Sequence, residues 1–527
     1  MVDTTLEADT ADIEKIDVEP VNSKAKRVLY EARKKIHPQR VKGSFRRFKW
    51  LIMFITLGIY YVTPWIRWDR GTGLPDQAVL LDLANRRFYF FFIEIWPHEF
   101  FYVAGMLVMA GIGLFLVTSV LGRAWCGYTC PQTVWVDLFL VVERFFEGDR
   151  NARIKLDAAP WSTQKAVKRV SKHTVWLAIA VATGGAWIFY FADAPTLLVE
   201  LVTGQAHYTA YATIAILTAT TYVFGGLMRE QVCTYMCPWP RIQAAMLDES
   251  SLTVTYNDWR GEPRSRNAKK LRKQGLPTGD CVDCNACVAV CPMGIDIRDG
   301  QQLECITCAL CIDACDNVMD KLGLERGLIS YATLDDYEAN MALAGAGKHV
   351  AEPKIMPELV RDAGGRLSGR IKQFTPRVFF KTRTLIYSAI YAAIGLAMVA
   401  SVTTRDRLDV NVLPDRNPQF VVLSDGSIRN GYELKILNMK GEAQQFLITL
   451  GGLRTPLLSE AGVNRGPSNW ISTEVRPDST KSVKVFVTLP SNQVFQSSTP
   501  FSFTVSQMGS TDQKTVRATF KAPGGQD

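Results

Sequence analysis

Apolar and polar positions segregate sharply along this 527-residue chain. Five apolar stretches, at 49–67, 100–121, 174–192, 208–228 and 384–402, reach the roughly 17–25 residues a helix needs to cross a bilayer. A shorter apolar run, FYFFFIEIWP at 88–97, is interrupted by Glu94 and Pro97 and reads as an interfacial segment leading into the second helix. After residue 405 the period changes. FVVLSDGSIRNGYELKILN, SVKVFVTLP, FSFTVSQ and TVRATFKA are short β-rich runs between turn residues, the pattern of an antiparallel sandwich of immunoglobulin type. That region has no Cys and no His, so it is a poor soft-metal site and reads as a folding or docking module.

Lysine and arginine set the direction of the helices. Lys34, Lys35, Arg40, Lys42, Arg46, Arg47 and Lys49 precede the first helix, and a basic segment from Arg144 to Lys172 joins the second to the third. Residues 193–207 contain neither Lys nor Arg. The N-terminus therefore faces the cytoplasm, the second and fourth helices end there, and the fifth sends the C-terminus to the periplasm. The expected layout is a cytoplasmic tail (1–47), a four-helix membrane region (48–250), a cysteine-rich domain (251–340), a linker (341–383), a fifth helix (384–402) and a periplasmic sandwich (403–527). The acidic start, 1–22, and the Gly- and Pro-bearing stretch 340–373 read as disordered tail and linker. Roughly forty-five polar residues before the first apolar run argue against a cleavable signal peptide.

The net charge of +9 raises the question of nucleic acid. Because the basic residues crowd beside apolar segments, they read as membrane topology instead, and no nucleic-acid partner is expected. All 12 cysteines fall into four tight clusters, which points to metal or redox sites on a reducing side rather than to a disulfide framework.

Two of the clusters repeat one phrase. WCGYTCPQ places Cys126 and Cys130 before Pro131, and VCTYMCPW places Cys233 and Cys237 before Pro238. Each lies at the cytoplasmic end of a helix pair, so two parallel repeats can bring the four thiols together. Proline suits a first helical turn, which predicts Cys130 and Cys237 at helix N-termini, where the dipole favours thiolate. The other two clusters, CVDCNACVAVC at 281–291 and CITCALCIDAC at 305–315, have the spacing of bacterial ferredoxins with two four-iron clusters. In that pattern three thiolates come from one run and the fourth from the other. Cys281, Cys284, Cys287 and Cys315 are expected to hold one cluster, and Cys305, Cys308, Cys311 and Cys291 the second. Zinc is the alternative, but it usually takes separated C-x2-C pairs. Asp316 stands where the first run has Pro292. No G-x-G-x-x-G loop follows a strand, so electrons must come from a partner or from quinol. Of the 5 histidines, His98 and His207 occupy related positions at the outer ends of helices; an outer metal site and a plain structural role are both open.

WCGYTCPQTVW, MCPWPRIQ, the paired ferredoxin runs, FFFIEIWP and DGSIRNGYELKILN together resemble the FixG/RdxA/CcoG family, the cytochrome c oxidase accessory proteins, from about residue 45 onward. The resemblance implies reduction of Cu(II) to Cu(I) in assembly of the cbb-type oxidase, with Cys126, Cys130, Cys233 and Cys237 as the catalytic, copper-handling thiols. It implies a copper chaperone or transporter and oxidase assembly factors as partners, with membrane lipid around the helices. Soft Cu(I) prefers thiolates, which fits those residues. Other readings of the four thiols are helix-end packing, a structural metal, a third iron–sulfur cluster or a quinol-linked redox site. Rival functions are a quinol-oxidising membrane ferredoxin and a non-enzymatic assembly scaffold docking through 405–527. The electron donor, the copper acceptor and the oligomeric state, a homodimer included, stay open.

Overall fold

The computed structural model describes residues 15–21, 35–71, 74–274, 276, 278–343, 360–361, 367–368, 379–405, 408–440, 442–463, 466–477, 479–490 and 496–523. Most of the expected tail and linker, His349 included, lies outside them. The chain divides into two compact units, Met1–Arg67 with Gln77–Leu396, and Trp68–Asp76 with Ala397–Asp527.

The first unit is mainly helical: α1 (Ser44–Val62), α2 (Phe101–Leu121), α3 (Ala124–Tyr128), α4 (Pro131–Glu147), α5 (Arg150–Ala158), α6 (Thr163–Ile188), α7 (Ala194–Thr203), α8 (Tyr208–Thr221), α9 (Trp239–Met246), α10 (Ala286–Val290), α11 (Leu310–Leu322) and α12 (Thr382–Thr404). Capping follows the sequence. Ser162 accepts from Lys165 N–H ahead of α6, and Asp193 accepts from Thr196 N–H ahead of α7, which Gly204 ends in the left-handed conformation. All five apolar stretches are helical. Among the described residues, three helical segments are long and apolar enough to cross a membrane: Pro97–Leu121, Tyr208–Met228 and Thr382–Thr404. The expected first and third spans, α1 and α6, do not reach that measure. Arg46, Arg47 and Lys49 sit inside the first turns of α1, and the apolar half of α6 is diluted by Thr183, Gly184 and Gly185.

The 88–97 run departs from expectation. It supplies β2 (Arg87–Phe90) and β3 (Ile93–Ile95), which with β1 (Val79–Asp82) form a small antiparallel sheet in the order β1-β2-β3. An Asn85–Asp82 side-chain turn, with Asn85 N–H donating to Asp82 at 3.0 Å, starts the hairpin. The register opposes Tyr89 to Glu94, and Arg87 pairs with Glu94 at 3.4 Å, so the interrupting acid is a sheet residue with a partner.

Within this unit, β4 (Thr253–Tyr256) pairs antiparallel with β5 (Ile329–Ala332), and α10 and α11 follow the two cysteine loops. The described part of the N-terminal tail is not free of the fold. Ile16 N–H donates to the Cys284 carbonyl at 3.0 Å, and Lys15 pairs with Asp283 at 2.5 Å.

The second unit is the expected sandwich. Its strands among the described residues are β6 (Leu408–Pro414), β7 (Val421–Val422), β8 (Ile428–Asn438), β9 (Gln444–Gly451), β10 (Leu457–Glu460), β11 (Trp470–Val475), β12 (Ser479–Leu489), β13 (Ser498–Gln507) and β14 (Gln513–Lys521). One sheet runs β10-β12-β8-β6, with β7 beside β8; the other runs β11-β9-β13-β14. Alternate residues fill the core, including Tyr432, Leu434 and Ile436 from β8, Val483, Val485 and Val487 from β12, and Phe503 and Val505 from β13.

Candidate metal centres

The two ferredoxin runs bend in the same way. Asp283 and Asn285 in the first loop, and the equivalent Thr307 and Ala309 in the second, have φ of 49°, 57°, 50° and 60°. Left-handed backbone is costly for residues with a Cβ and concentrates at functional sites. Here it curls each loop in the manner of an anion-binding nest. Thr307 N–H donates to Cys305 Sγ at 3.4 Å.

Two cavities of about 20 Å³ lie inside these loops. Cys281, Cys284, Cys287 and Cys315 line one; Cys291, Cys305, Cys308 and Cys311 line the other, with Cys287 at its margin. The crossover of Cys315 and Cys291 between runs is thus visible in which sulfurs share a cavity. Burial pushes the Cys291 thiol up to about 12 and the Cys305 thiol up to about 11, so these two stay protonated until metal displaces the proton. Among the described residues, no three His, Cys, Asp or Glu side chains converge as ligands of one ion do. A cubane differs, because each thiolate binds its own iron. The donor set, the nest-like loops and the two four-sulfur cavities fit four-iron clusters.

The structure also brings the twin phrases together. Burial first, then Cys130, Cys233 and Cys237 nearby, push the Cys126 thiol up to about 12 against the pull of Arg123. Burial, Cys130, Cys237 and Glu230 do the same for Cys233, again to about 12. The two halves differ locally. Cys130 caps α4, with Pro131 at its first position, as expected. Cys237 does not begin a helix; it closes the π-helical turn Val232–Met236, and Pro238 caps α9. A second π segment, Tyr222–Met228, precedes it, and Arg229 between them has a φ of 43°. Such π segments often mark functional sites.

The twin-phrase region packs onto the second cysteine run. Cys126 is buried in one apolar cluster with Val290, Ile306, Cys308 and Leu310, and Cys233, Cys291 and Cys305 pack against it. A Cβ on Gly127 would lie 2.6 Å from the Ile306 carbonyl oxygen and 3.0 Å from Cys308 Cα, so only glycine allows this approach.

Sequence reasoning missed three residues here. Arg123, 4% exposed, donates to the carbonyl oxygens of Cys305 (3.1 Å), Leu303 and Pro240, placing its cation between the two thiol sets. Tyr128 Oη donates to the Cys308 carbonyl at 3.2 Å. Gln243, fully buried in α9, accepts from Cys126 Sγ at 3.0 Å and donates to Thr118 Oγ1 at 3.1 Å. A glutamine on the inner face of an amphipathic helix, and an arginine at the end of an apolar span, were the available signals. Nearby, Glu143 is fully buried between Arg153 (2.9 Å) and Arg229 (3.0 Å). Burial pushes its carboxyl up, but Arg229, Arg153 and Lys172 outweigh it and hold it at about 2. Of the histidines, exposed His207 caps α8, its Nδ1 accepting from Thr209 N–H at 3.4 Å, and His98 lies exposed in the turn before α2.

Fold and site together define a ferredoxin-type iron–sulfur protein with membrane-length helices and an immunoglobulin-like domain. Residues 228–334 match the 4Fe-4S dicluster domain family, 103–147 a 4Fe-4S binding domain family, and 398–523 the IG-like fold at the C-terminal of FixG. The chain is 63% identical over 515 residues to the nitrogen fixation protein FixG of Rhizobium meliloti (strain 1021), covering 98% of each. It is 57% identical over 422 residues to protein RdxB of Cereibacter sphaeroides, covering 80% of this chain and 83% of the relative. To protein RdxA of the same organism it is 51% identical over 465 residues, covering 88% and 91%. The crystal structure of a FixG-related protein from Vibrio parahaemolyticus aligns with 22% of this chain and 97% of its own, at 19% identity and a TM-score of 0.19. The chain belongs to the FixG/RdxA family of iron–sulfur proteins, a family of oxidoreductase class.

Proposed function

We propose that this protein is a membrane-bound reductase that passes single electrons from its di-cluster domain to the twin-phrase thiols, where Cu(II) becomes Cu(I) for assembly of a cbb-type oxidase. The reading rests above all on the packing of Cys126, Gly127 and Tyr128 against the loop that carries Cys305 and Cys308. Cys281, Cys284, Cys287 and Cys315 are the ligands of one cluster, and Cys291, Cys305, Cys308 and Cys311 those of the other. Two four-iron clusters, when bound, supply electrons one at a time at low potential.

Cys126, Cys130, Cys233 and Cys237 receive the copper ion as substrate. A cluster held by the adjacent cysteines would supply the one electron that Cu(II) gains. Thiolate sulfur then favours the softer product, Cu(I). Arg123 spans the gap with fixed positive charge, and Gln243 holds the Cys126 proton until metal replaces it. Cu(I) passes to a copper chaperone or transporter. The N-terminus, the di-cluster domain and the thiols face the cytoplasm and the sandwich the periplasm, as the basic flanks and the Lys- and Arg-free 193–207 loop support. Five passes follow if α1 and α6 complete the three longer spans.

One observation favours a second reading. The 4Fe-4S binding domain match at 103–147 contains Cys126 and Cys130 and no other cysteine, which suits a third cluster shared by the twin phrases. Anaerobic metal analysis separates the two: two clusters carry about eight irons per chain and three about twelve. Cu(I) trapped by a chelator after Cu(II) is added to reduced protein tests the substrate. The Cys126→Ala/Cys233→Ala variant is expected to lose that signal with its iron content unchanged.

A further inference from the structure

The DGSIRNGYELKILN run contributes nothing to the redox centres, yet it forms the floor of a well-defined cavity. This cavity, about 390 Å³, lies wholly within the sandwich and is lined among others by Arg416, Asn430, Tyr432, Arg517, Thr519 and Lys521. It exists because a ladder is interrupted. Pairing of β6 with β8 ends at Pro414↔Tyr432, and pairing of β7 with β8 begins at Val421↔Arg429. Asn430 and Gly431 therefore face an opening along β8. A Cβ on Gly431 would lie 2.1 Å from Asp415 Oδ2, so glycine lets Asp415 close over the strand, where its N–H donates to the Gly431 carbonyl at 2.9 Å.

The electrostatics are one-sided. The lining carboxylate, Asp415, is already paired with Lys484. Arg416 and Arg517 are exposed and make no ion pair among the described residues, and Lys521 Nζ has Ser498 Oγ at 3.4 Å. Asn430 is 2% exposed, and its Oδ1 is buried without a hydrogen-bond partner. Its Nδ2 is turned toward Tyr432 Oη at 3.5 Å, and Tyr432 Oη donates to the Thr519 carbonyl at 2.7 Å. A buried acceptor without a donor is costly, and native structures usually satisfy it.

We infer that this cavity binds an acidic peptide segment of a partner protein. Its carboxylates would meet Arg416, Arg517 and Lys521, and one of its N–H groups would reach Asn430 Oδ1. A halide or sulfate ion has the charge but no proton to donate. An extended segment also suits the place, because the opening runs along β8 between its pairings with β6 and β7. Arg517 and Lys521 are four residues apart in β14 and so share a face, which matches acidic side chains four apart in an extended peptide.

The test uses the full chain in detergent and fluorescence anisotropy. The probe is a labelled hexapeptide library with glutamate fixed at the first and fifth positions; a library with glutamine there is the control. The inference expects binding of the glutamate library that weakens with salt, little binding of the glutamine library, and at least a tenfold loss in Arg416→Glu and Arg517→Glu. Both positions are exposed, so these variants keep the fold, which a thermal melt of each checks. Equal binding by the variants, equal binding of both libraries, or no binding overturns it. So does full competition by free glutamate or inorganic phosphate at the peptide's own concentration, which would make the cavity a small-anion site.

Discussion

Tyr128, between the first pair of twin-phrase cysteines, donates its hydroxyl to the carbonyl oxygen of Cys308 at 3.2 Å. Tyr331 braces the same loop, donating to the Thr307 carbonyl at 2.6 Å and standing 3.3 Å from Tyr128 Oη. A motif at the end of an apolar span is thereby fixed to the backbone that presents Cys308. Close, held approach is what electron transfer between the two sites requires.

Gly127→Ala tests that approach. The added Cβ meets the Ile306 carbonyl at 2.6 Å, so one backbone must move. Overpacking of this kind costs about 1–3 kcal/mol. The expected outcome is a lower melting temperature, unchanged iron content, and Cu(I) formation slowed several-fold because the two backbones are pushed apart.

Arg123 places a buried cation beside Cys305. Positive charge near a cluster stabilises its reduced form. Arg123→Gln is expected to lower the midpoint potential of one cluster by on the order of 60 mV, a tenfold change for one electron, and to leave the other near its original value. Arg123→Lys, which keeps the charge, is expected to shift less. Potentiometric titration followed by electron paramagnetic resonance reads both midpoints.

Glu143 is held at about 2, well below its ordinary value of 4.5. A depressed carboxylate stabilises the fold fully above its unfolded pKa, and that contribution is lost as pH falls from about 4.5 through about 2. Glu143→Gln is expected to cost roughly 3 kcal/mol at neutral pH, because Arg153 and Arg229 lose a buried counter-charge, and to flatten the acid limb of stability against pH. Thermal melts of both proteins between pH 2 and 7, in detergent, test the sign.

Much of this was legible in the sequence. The tandem C-x2-C-x2-C-x3-C spacing specifies a loop with three inward sulfurs, and the crossover of Cys315 and Cys291 into the other run's cavity follows that spacing. Length and apolarity located α1, α2, α6, α8 and α12, and alternation located the sandwich. The hairpin at 87–95 was hidden because Phe90, Phe91 and Phe92 erase the alternation that marks a strand. The π segments around Cys233 have no sequence period of their own, so Cys237 read as a helix start when it closes a turn. Arg229 is far along the chain from Glu143 and Arg153, and each of the three looks like a surface charge until α4, α5 and the 229 bend bring them together.

The cysteine loops and the sandwich have separate cores. Removing iron with a chelator under reducing conditions is expected to abolish or lower one calorimetric transition and leave a second unmoved, since metal binding is folding energy only for the loops that ligate it. A uniform downward shift of both transitions would count against that independence.

The central claim is that electrons leave the di-cluster domain through the twin-phrase thiols to copper. It is tested most directly by anaerobic iron analysis and Cu(I) trapping on the same sample of wild-type and Cys126→Ala/Cys233→Ala protein. The account predicts about eight irons in both, with rapid Cu(I) formation by the wild type and little by the variant. Equal Cu(I) formation by the two proteins, or about twelve irons in the wild type falling to about eight in the variant, would contradict it.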